Sequence, residues 1–256
     1  MGRLKLKLLS TLCFSLLLCS NQLSAQEEEL PKRWKVDAGL GISMALGQFK
    51  NGEVLSFWGQ AGGNPVFNGI RKRGHGFAKT GPQLRLDIAY RVSRSTTFGL
   101  QSSFQNHQVN ETLIEQVFLL NGRDVPMDVN HDPYKAQMLI PYISIQLTEV
   151  EPQFSFRFGY GYGRLSFPSY FLIDSSSVRY GSVGDSDALN SGVIMGGVRA
   201  SYPFKSFRAF ANIDYTSANF EYLSVNGNSA NATETSFNDA VNLKTLNLSI
   251  GLSYLF

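Results

Sequence analysis

From Lys244 to Phe256 the chain alternates apolar and polar residues at every second position. Leu246, Leu248, Ile250, Leu252, Tyr254 and Phe256 share one face, while Thr245, Asn247, Ser249, Gly251 and Ser253 share the other. A period of two is that of a β-strand; a helical period would bring Ser249 and Ser253 onto the stripe of Leu246. The same dyad opens the chain after Arg33. Val36, Ala38, Leu40, Ile42, Met44 and Leu46 alternate with Lys35, Asp37, Gly39, Gly41, Ser43 and Ala45. It recurs as Leu84, Leu86, Ile88, Tyr90 and Val92, then as Phe98, Leu100 and Phe104, and most sharply as Phe154, Phe156, Phe158, Tyr160 and Tyr162 against Ser155, Arg157, Gly159, Gly161 and Gly163. A strand from about Met138 to Thr148 has two apolar sides. Its outward set is read as Leu139, Ile143, Ile145 and Leu147, and Pro141, which lacks a ladder donor, predicts a bulge. Gly192–Tyr202 and Phe207–Thr216 complete a count of eight with the final strand.

The connections carry their own signal. Short links at 93–95, 149–153 and 203–206 alternate with long ones at about 48–82, 108–137, 166–190 and 217–242. An even number of antiparallel strands, each about as long as the roughly 9 to 11 residues of a tilted membrane strand, predicts an all-β, eight-stranded, antiparallel up-and-down transmembrane β-barrel. Both termini and the short turns are expected on the periplasmic side, with four long loops outside. Trp34, Tyr90, Phe98, Tyr202, Phe207 and Tyr254 fall near strand ends on the side of the termini, where an interfacial girdle belongs. A chain that closes on Phe256 resembles one carrying the aromatic C-terminal signal read by the outer-membrane barrel assembly machinery.

The N-terminus predicts the same destination. Arg3, Lys5 and Lys7 precede an apolar run from Leu8 to Leu18 and a cleavage site after Leu23-Ser24-Ala25, so residues 1–25 are expected to be a cleaved signal peptide. Residues 26–33 form a short periplasmic lead, and 34–256 the barrel. Leucines before Cys13 and Cys19 argue against lipidation, and both cysteines leave with the signal. Removing it also takes three of the 23 basic residues and none of the 20 acidic ones, leaving the remainder balanced. That balance gives no cationic excess for a nucleic-acid partner.

The segment QMLIPYISIQ, Gln137–Gln146, followed after a turn by FSFRFGYGYG, Phe154–Gly163, resembles the Ile-Pro strand and glycine-aromatic strand of small outer-membrane barrels of the PorT-like or porin-family type. The resemblance implies the barrel fold and an envelope role. It carries no catalytic motif.

Strand parity places Lys35, Arg85, Arg91, Arg157, Arg199 and Arg208 inside, with Asp37, Asp87 and Asp214. An anion channel is one reading; because eight strands leave an interior that side chains fill, a structural ion-pair network that also engages Gln101 and Asn212 is preferred. No cofactor or metal is expected, because His75, His107 and His131 have no ligand spacing. They are expected in solvent, and His107, near Gln105 and Glu111, is the one placed like a lipid-hydrolysing base. In the first long loop IRKRGHG, Ile70–Gly76, is a basic cluster suited to lipopolysaccharide phosphates, and Phe57, Trp58 and Phe67 mark a candidate binding surface. Asn110-Glu111-Thr112 and Asn231-Ala232-Thr233 match glycosylation acceptors. The expected function is a non-enzymatic surface interaction or envelope-assembly platform acting through the long loops. The expected partners are outer-membrane lipids and lipopolysaccharide, the assembly machinery through the C-terminal strand, and an envelope or extracellular protein. The alternatives are an outer-leaflet lipid-modifying enzyme using His107 and a narrow solute conduit.

Overall fold

The computed structural model describes residues 33–51, 58–61, 64–67, 77–113, 128–166, 170–173, 179–183, 188–226 and 235–256. The expected signal peptide, the expected lead up to Lys32 and the IRKRGHG cluster with His75 therefore lie outside the described residues. The strands are β1 Trp34–Ala45, β2 Trp58–Ala61, β3 Asn64–Phe67, β4 Gly81–Arg91, β5 Thr96–His107, β6 Asp128–His131 and β7 Tyr134–Gln146. They continue as β8 Gln153–Ser166, β9 Tyr170–Ile173, β10 Arg179–Val183, β11 Leu189–Phe204, β12 Phe207–Asn226 and β13 Thr235–Leu255, with a short helix, α1, at Gln48–Asn51.

Eight of them form a closed antiparallel barrel in the order β1-β13-β12-β11-β8-β7-β5-β4. The seam is paired throughout: Lys35 faces Leu255, Leu40 faces Ile250 and Ala45 faces Thr245, and Trp34 and Phe256 exchange backbone hydrogen bonds of 3.0 and 3.1 Å. Beyond one end lie a β2–β3 hairpin and a three-stranded sheet in the order β10-β9-β6. This loop end is opposite the termini end, which carries the tight turns at 92–95, 147–152 and 205–206.

Alternation sets which way each side chain points. Along β4, Gly81, Gln83, Arg85, Asp87 and Ala89 are buried, while Leu84, Leu86 and Ile88 are exposed. The same holds along β7, where Tyr134, Ala136, Met138, Ile140, Tyr142 and Ser144 turn inward and Leu139 and Ile145 outward. No bulge forms at Pro141. Its partner across β5 is Leu100, and the β7–β8 register is the same before it, at Met138–Gly163, as after it, at Tyr142–Gly159. Facing outward, Pro141 is accommodated without an inserted residue.

The last two strands depart most from expectation. The long link predicted at 217–242 is mostly strand: β12 and β13 pair from Arg208–Ser253 to Asn226–Thr235, leaving only 227–234 between them. The dyad continues there on the inward side, with Ala218, Phe220, Val241 and Leu243 buried. Polar outward neighbours such as Asn219, Glu221 and Asn242 hide it from a search for greasy outer faces.

Glycines make room inside the wall. Tyr142 lies opposite Gly99 on β5 and Gly159 on β8, and a Cβ on Gly99 would come within 2.5 Å of the Tyr142 hydroxyl. Gly99→Val is expected to displace this ring and destabilise the barrel by about 1–3 kcal/mol, the usual cost of overpacking. A lowered midpoint in the heat-dependent gel shift of the folded barrel would show it; an unchanged midpoint would mean the ring has another place to go.

Candidate functional site

The lumen is layered. Nearest the termini end, the Arg199 guanidinium on β11 donates to the Asp37 carboxylate on β1 and to Ser253 Oγ on β13 at 2.5 Å, and Lys35 Nζ stands 3.4 Å from Asp37. At the next level, Arg85 on β4 donates through Nη2 to Asp87 and through Nη1 to Asp214 on β12, each at 2.5 Å. Arg157 on β8 donates to Gln101 Oε1 at 3.1 Å and to Asp87 at 3.4 Å, and its Nη1 stands 3.6 Å from Asp214. Arg85, Arg157 and Asp87 are all at most 3 % exposed. Charges removed from water this completely hold only if each is paired, and their positions on β1, β4, β8, β11 and β12 tie together strands distant in sequence.

Each of two arginines also lies on an aromatic ring. The Arg157 guanidinium is 4.0 Å from the Tyr142 ring centroid, and that of Arg199 is 4.0 Å from Phe210. Phe210 in turn covers Gly251, its cross-strand partner, and Gly39 beyond it. Arginine over aromatic over glycine thus recurs on two sides of the lumen. A cation held against a ring face and bonded to carboxylates at its edge is fixed in position and has little freedom to serve a passing solute.

Above this network a neutral polar belt runs through Gln105, Asn247, Thr216 and Thr245, linked by hydrogen bonds of 2.5 to 3.2 Å. His107 sits here. It is fully buried, not in solvent as expected, with Nδ1–H donating to the Lys79 carbonyl at 2.8 Å and the other ring nitrogen 3.4 Å from the Gln105 amide. Phe49 packs edge-on against it at 5.2 Å and against Tyr134 at 5.3 Å. A histidine enclosed in this way has no face toward the membrane.

The loop end of the lumen is closed by an apolar cap. Phe49, Tyr134, Leu165, Val193, Phe220 and Leu243 each show 0 % exposure, joined by Phe77 at 1 %. Backbone bonds clamp the cap: Ala78 N–H donates to the Phe49 carbonyl at 2.9 Å, and Asn110 N–H to that of Phe77 at 2.6 Å. Phe77 holds the left-handed conformation, φ 54°, which a bulky residue adopts only when its surroundings over-determine it. The acceptor motif at Asn110 is part of this clamp. Its counterpart at Asn231 lies outside the described residues. Sequence reasoning missed the cap because Phe49 and Phe77 fall in a predicted loop. The continuing inward dyad of Ala218, Phe220, Val241 and Leu243 was the signal available.

Other expectations divide. Gln101 joins the ion network, but Asn212 bonds Ser249 instead, at 3.3 Å. Arg208 is half-buried and pairs with Glu151 in the turn after β7 at 2.7 Å, and Arg91 is likewise half-buried; both lie at the open mouth, where water reaches positions that parity assigns to the lumen. The girdle exists: Trp34 and Tyr90 meet at 5.0 Å, Phe207 and Tyr254 at 5.5 Å. Gly159 and Gly163 face inward and accommodate Ile140 and Val193, so the GYGYG run serves packing. Trp58 pairs with Phe67 across the β2–β3 hairpin, and His131 lies in β6. Phe57 lies outside the described residues. On the outer wall a recess of about 960 Å³ is lined by Ala38, Ala200, Ala209 and Ala211 between Leu40 and Tyr202. It is a shallow apolar dent in a surface that meets lipid.

Charges within and Leu40, Ile250 and Phe158 at 55 to 71 % exposure without make this barrel inside-out relative to a water-soluble one. Closed strands with that distribution satisfy every requirement of a bilayer, and the chain is an integral outer-membrane β-barrel. No protein-family model and no curated protein matches it. Among solved structures, its fold is similar to that of the outer membrane protein OprG from Pseudomonas aeruginosa, at 12 % identity over 88 % of this chain and 96 % of that one, TM-score 0.46. It is also similar to a major outer membrane protein from Thermus thermophilus, at 12 % identity over 87 % and 99 % of the two chains, TM-score 0.43. The attachment invasion locus protein of Yersinia pestis aligns at 12 % identity over 87 % and 99 %, TM-score 0.39.

Removing one member of the buried network should expose how tightly it is coupled. Asp214→Ala, which leaves Arg85 and Arg157 to share Asp87, is expected to cost about 3–5 kcal/mol in urea unfolding from micelles. Arg208→Ala, at the exposed mouth pair, should cost only about 0–1 kcal/mol.

Proposed function

We propose that this barrel is a non-enzymatic scaffold of the outer membrane whose loop-end structures form an interaction or envelope-assembly surface. The observation that carries this reading is the filling of the lumen. An ion network fixed on five strands, a polar belt and a clamped apolar cap occupy the described interior from one mouth to the other. A solute path would have to break buried charge pairs and then cross the cap. In contrast, the connections beyond the wall organise their own β-structure, the β2–β3 hairpin and the β6–β9–β10 sheet, and β12–β13 extends the barrel wall beyond the cap. Ordered structure built away from the membrane is the form that partner recognition takes on a rigid scaffold.

An envelope role like that implied by the PorT-like resemblance fits this reading. It rests on the segments Gln137–Gln146 and Phe154–Gly163, which the fold joins as the hairpin β7–β8. The enclosure of His107 argues against its use as a lipid-hydrolysing base.

The direct test is photocrosslinking from positions in β2, β3, β6 and β9 in intact cells. Reproducible protein adducts are expected, and crosslinks to lipid alone would remove the platform reading. Planar-bilayer recordings should show no stepwise conductance from the purified protein; sustained steps would reinstate a conduit. His107→Gln should leave the cellular lipid profile unchanged, and a specific lipid species gained or lost would restore the enzymatic alternative.

A further inference from the structure

We propose that the outer wall at the loop end of β7, β8 and β11 is a binding site for a phosphorylated lipid headgroup, held by Lys135 and Arg164. The inference rests on the membrane reading above and on the loop end facing outside. Along the outward face of β8, Phe154, Phe156, Phe158, Tyr160 and Tyr162 are exposed, and the next outward residue is Arg164. On β7 the apolar series ends at Leu139 and continues as Gln137 and Lys135. The register aligns these boundaries: Tyr162 faces Leu139, and Arg164 faces Gln137 on one side and Asn190 of β11 on the other. The apolar band therefore stops at one level on three adjacent strands, directly above two tyrosines, the residues that settle at headgroup depth.

Lys135 and Arg164 are diagonal neighbours, with Lys135 opposite Ser166 and Arg164 opposite Gln137. Diagonal cross-strand neighbours stand about 7–8 Å apart, within reach of two long side chains converging on one phosphate. Neither cation has an ion pair or side-chain hydrogen bond among the described residues, whereas Arg208 at the opposite mouth is paired with Glu151. No Asp or Glu occurs anywhere in β7, β8 or β11 to neutralise them. Arg164 supplies a planar fork for phosphate oxygens, Lys135 a point charge, and the Gln137 and Asn190 amides neutral donors.

The ligand class follows from position. Two cations at the outward boundary of the band, neither ion-paired among the described residues, face the leaflet whose lipid carries phosphorylated sugar, so the occupant is the phosphorylated glucosamine backbone of lipopolysaccharide. The inner leaflet's phospholipids meet the other mouth.

Native mass spectrometry of the full-length folded protein with bisphosphorylated lipid A tests the proposal. Phosphatidylglycerol and phosphatidylcholine serve as comparison lipids. K135Q/R164Q is expected to weaken lipid A binding roughly twenty-five-fold, the product of about fivefold for each surface cation. Each single variant should lose about fivefold, and Lys205→Gln, in the turn at the termini end, should lose nothing. Parental lipid A affinity in a double variant that keeps its heat-modifiable gel shift would overturn the site. Phosphatidylglycerol binding as tightly as lipid A, with the same sensitivity to the variants, would overturn the assignment to lipopolysaccharide. A parent protein that fails to insert into bilayers would instead remove the membrane reading, and the site with it.

Discussion

A backbone amide in the hydrocarbon of a bilayer has no water to bond, so a sheet that enters it must leave no edge. The seam between β1 and β13 answers that requirement, running without a break from the Trp34–Phe256 exchange to Ala45 opposite Thr245. Other features of the molecule follow from this closure. A ring of eight strands has a small interior, alternate residues must enter it, and whatever enters must fill it without leaving a charge alone.

The chain meets that demand with two kinds of material. Near the termini, arginines neutralised by aspartates and laid on Tyr142 and Phe210 make a rigid polar core; near the loops, Phe49, Phe220 and Leu243 make an apolar one. The glycines opposite the two rings are the other half of the arrangement, since only a residue without Cβ leaves room for an aromatic lying against the wall. A lumen so occupied couples distant strands and holds the shape of the wall. It also moves the search for function to the wall's outer surface and to the structures beyond its loop end, where the proposed lipid headgroup site and the proposed interaction surface lie.

Much of this is legible in the amino-acid sequence. The barrel strands β1, β4, β5, β7 and β8 were readable because each separates lipid from lumen, which imposes the dyad directly on composition. The pairing of Arg85, Arg157 and Arg199 with Asp37, Asp87 and Asp214 followed from parity and the size of the ring. His107 and Pro141 were misread for a common reason. Burial at a strand end depends on what folds over it, here Phe49 and Tyr134, and tolerance of proline depends on which way the residue faces. Neither is a property of the local segment. The extension of β12 and β13 was missed because Ala218, Phe220, Val241 and Leu243 face the cap while Asn219, Glu221 and Asn242 face outward, reversing the membrane pattern.

The sequence by itself determined that the chain is a lipid-facing barrel of eight strands with charges turned inward, because a period of two on both sides of a thin wall leaves no other arrangement of apolar and polar residues. Which cation meets which carboxylate, that the loop end is capped, and that Lys135 and Arg164 stand diagonally across β7 and β8 with no ion pair among the described residues were decided only by the tertiary structure. Those relations depend on register between strands far apart in the chain, and register is set when the ring closes.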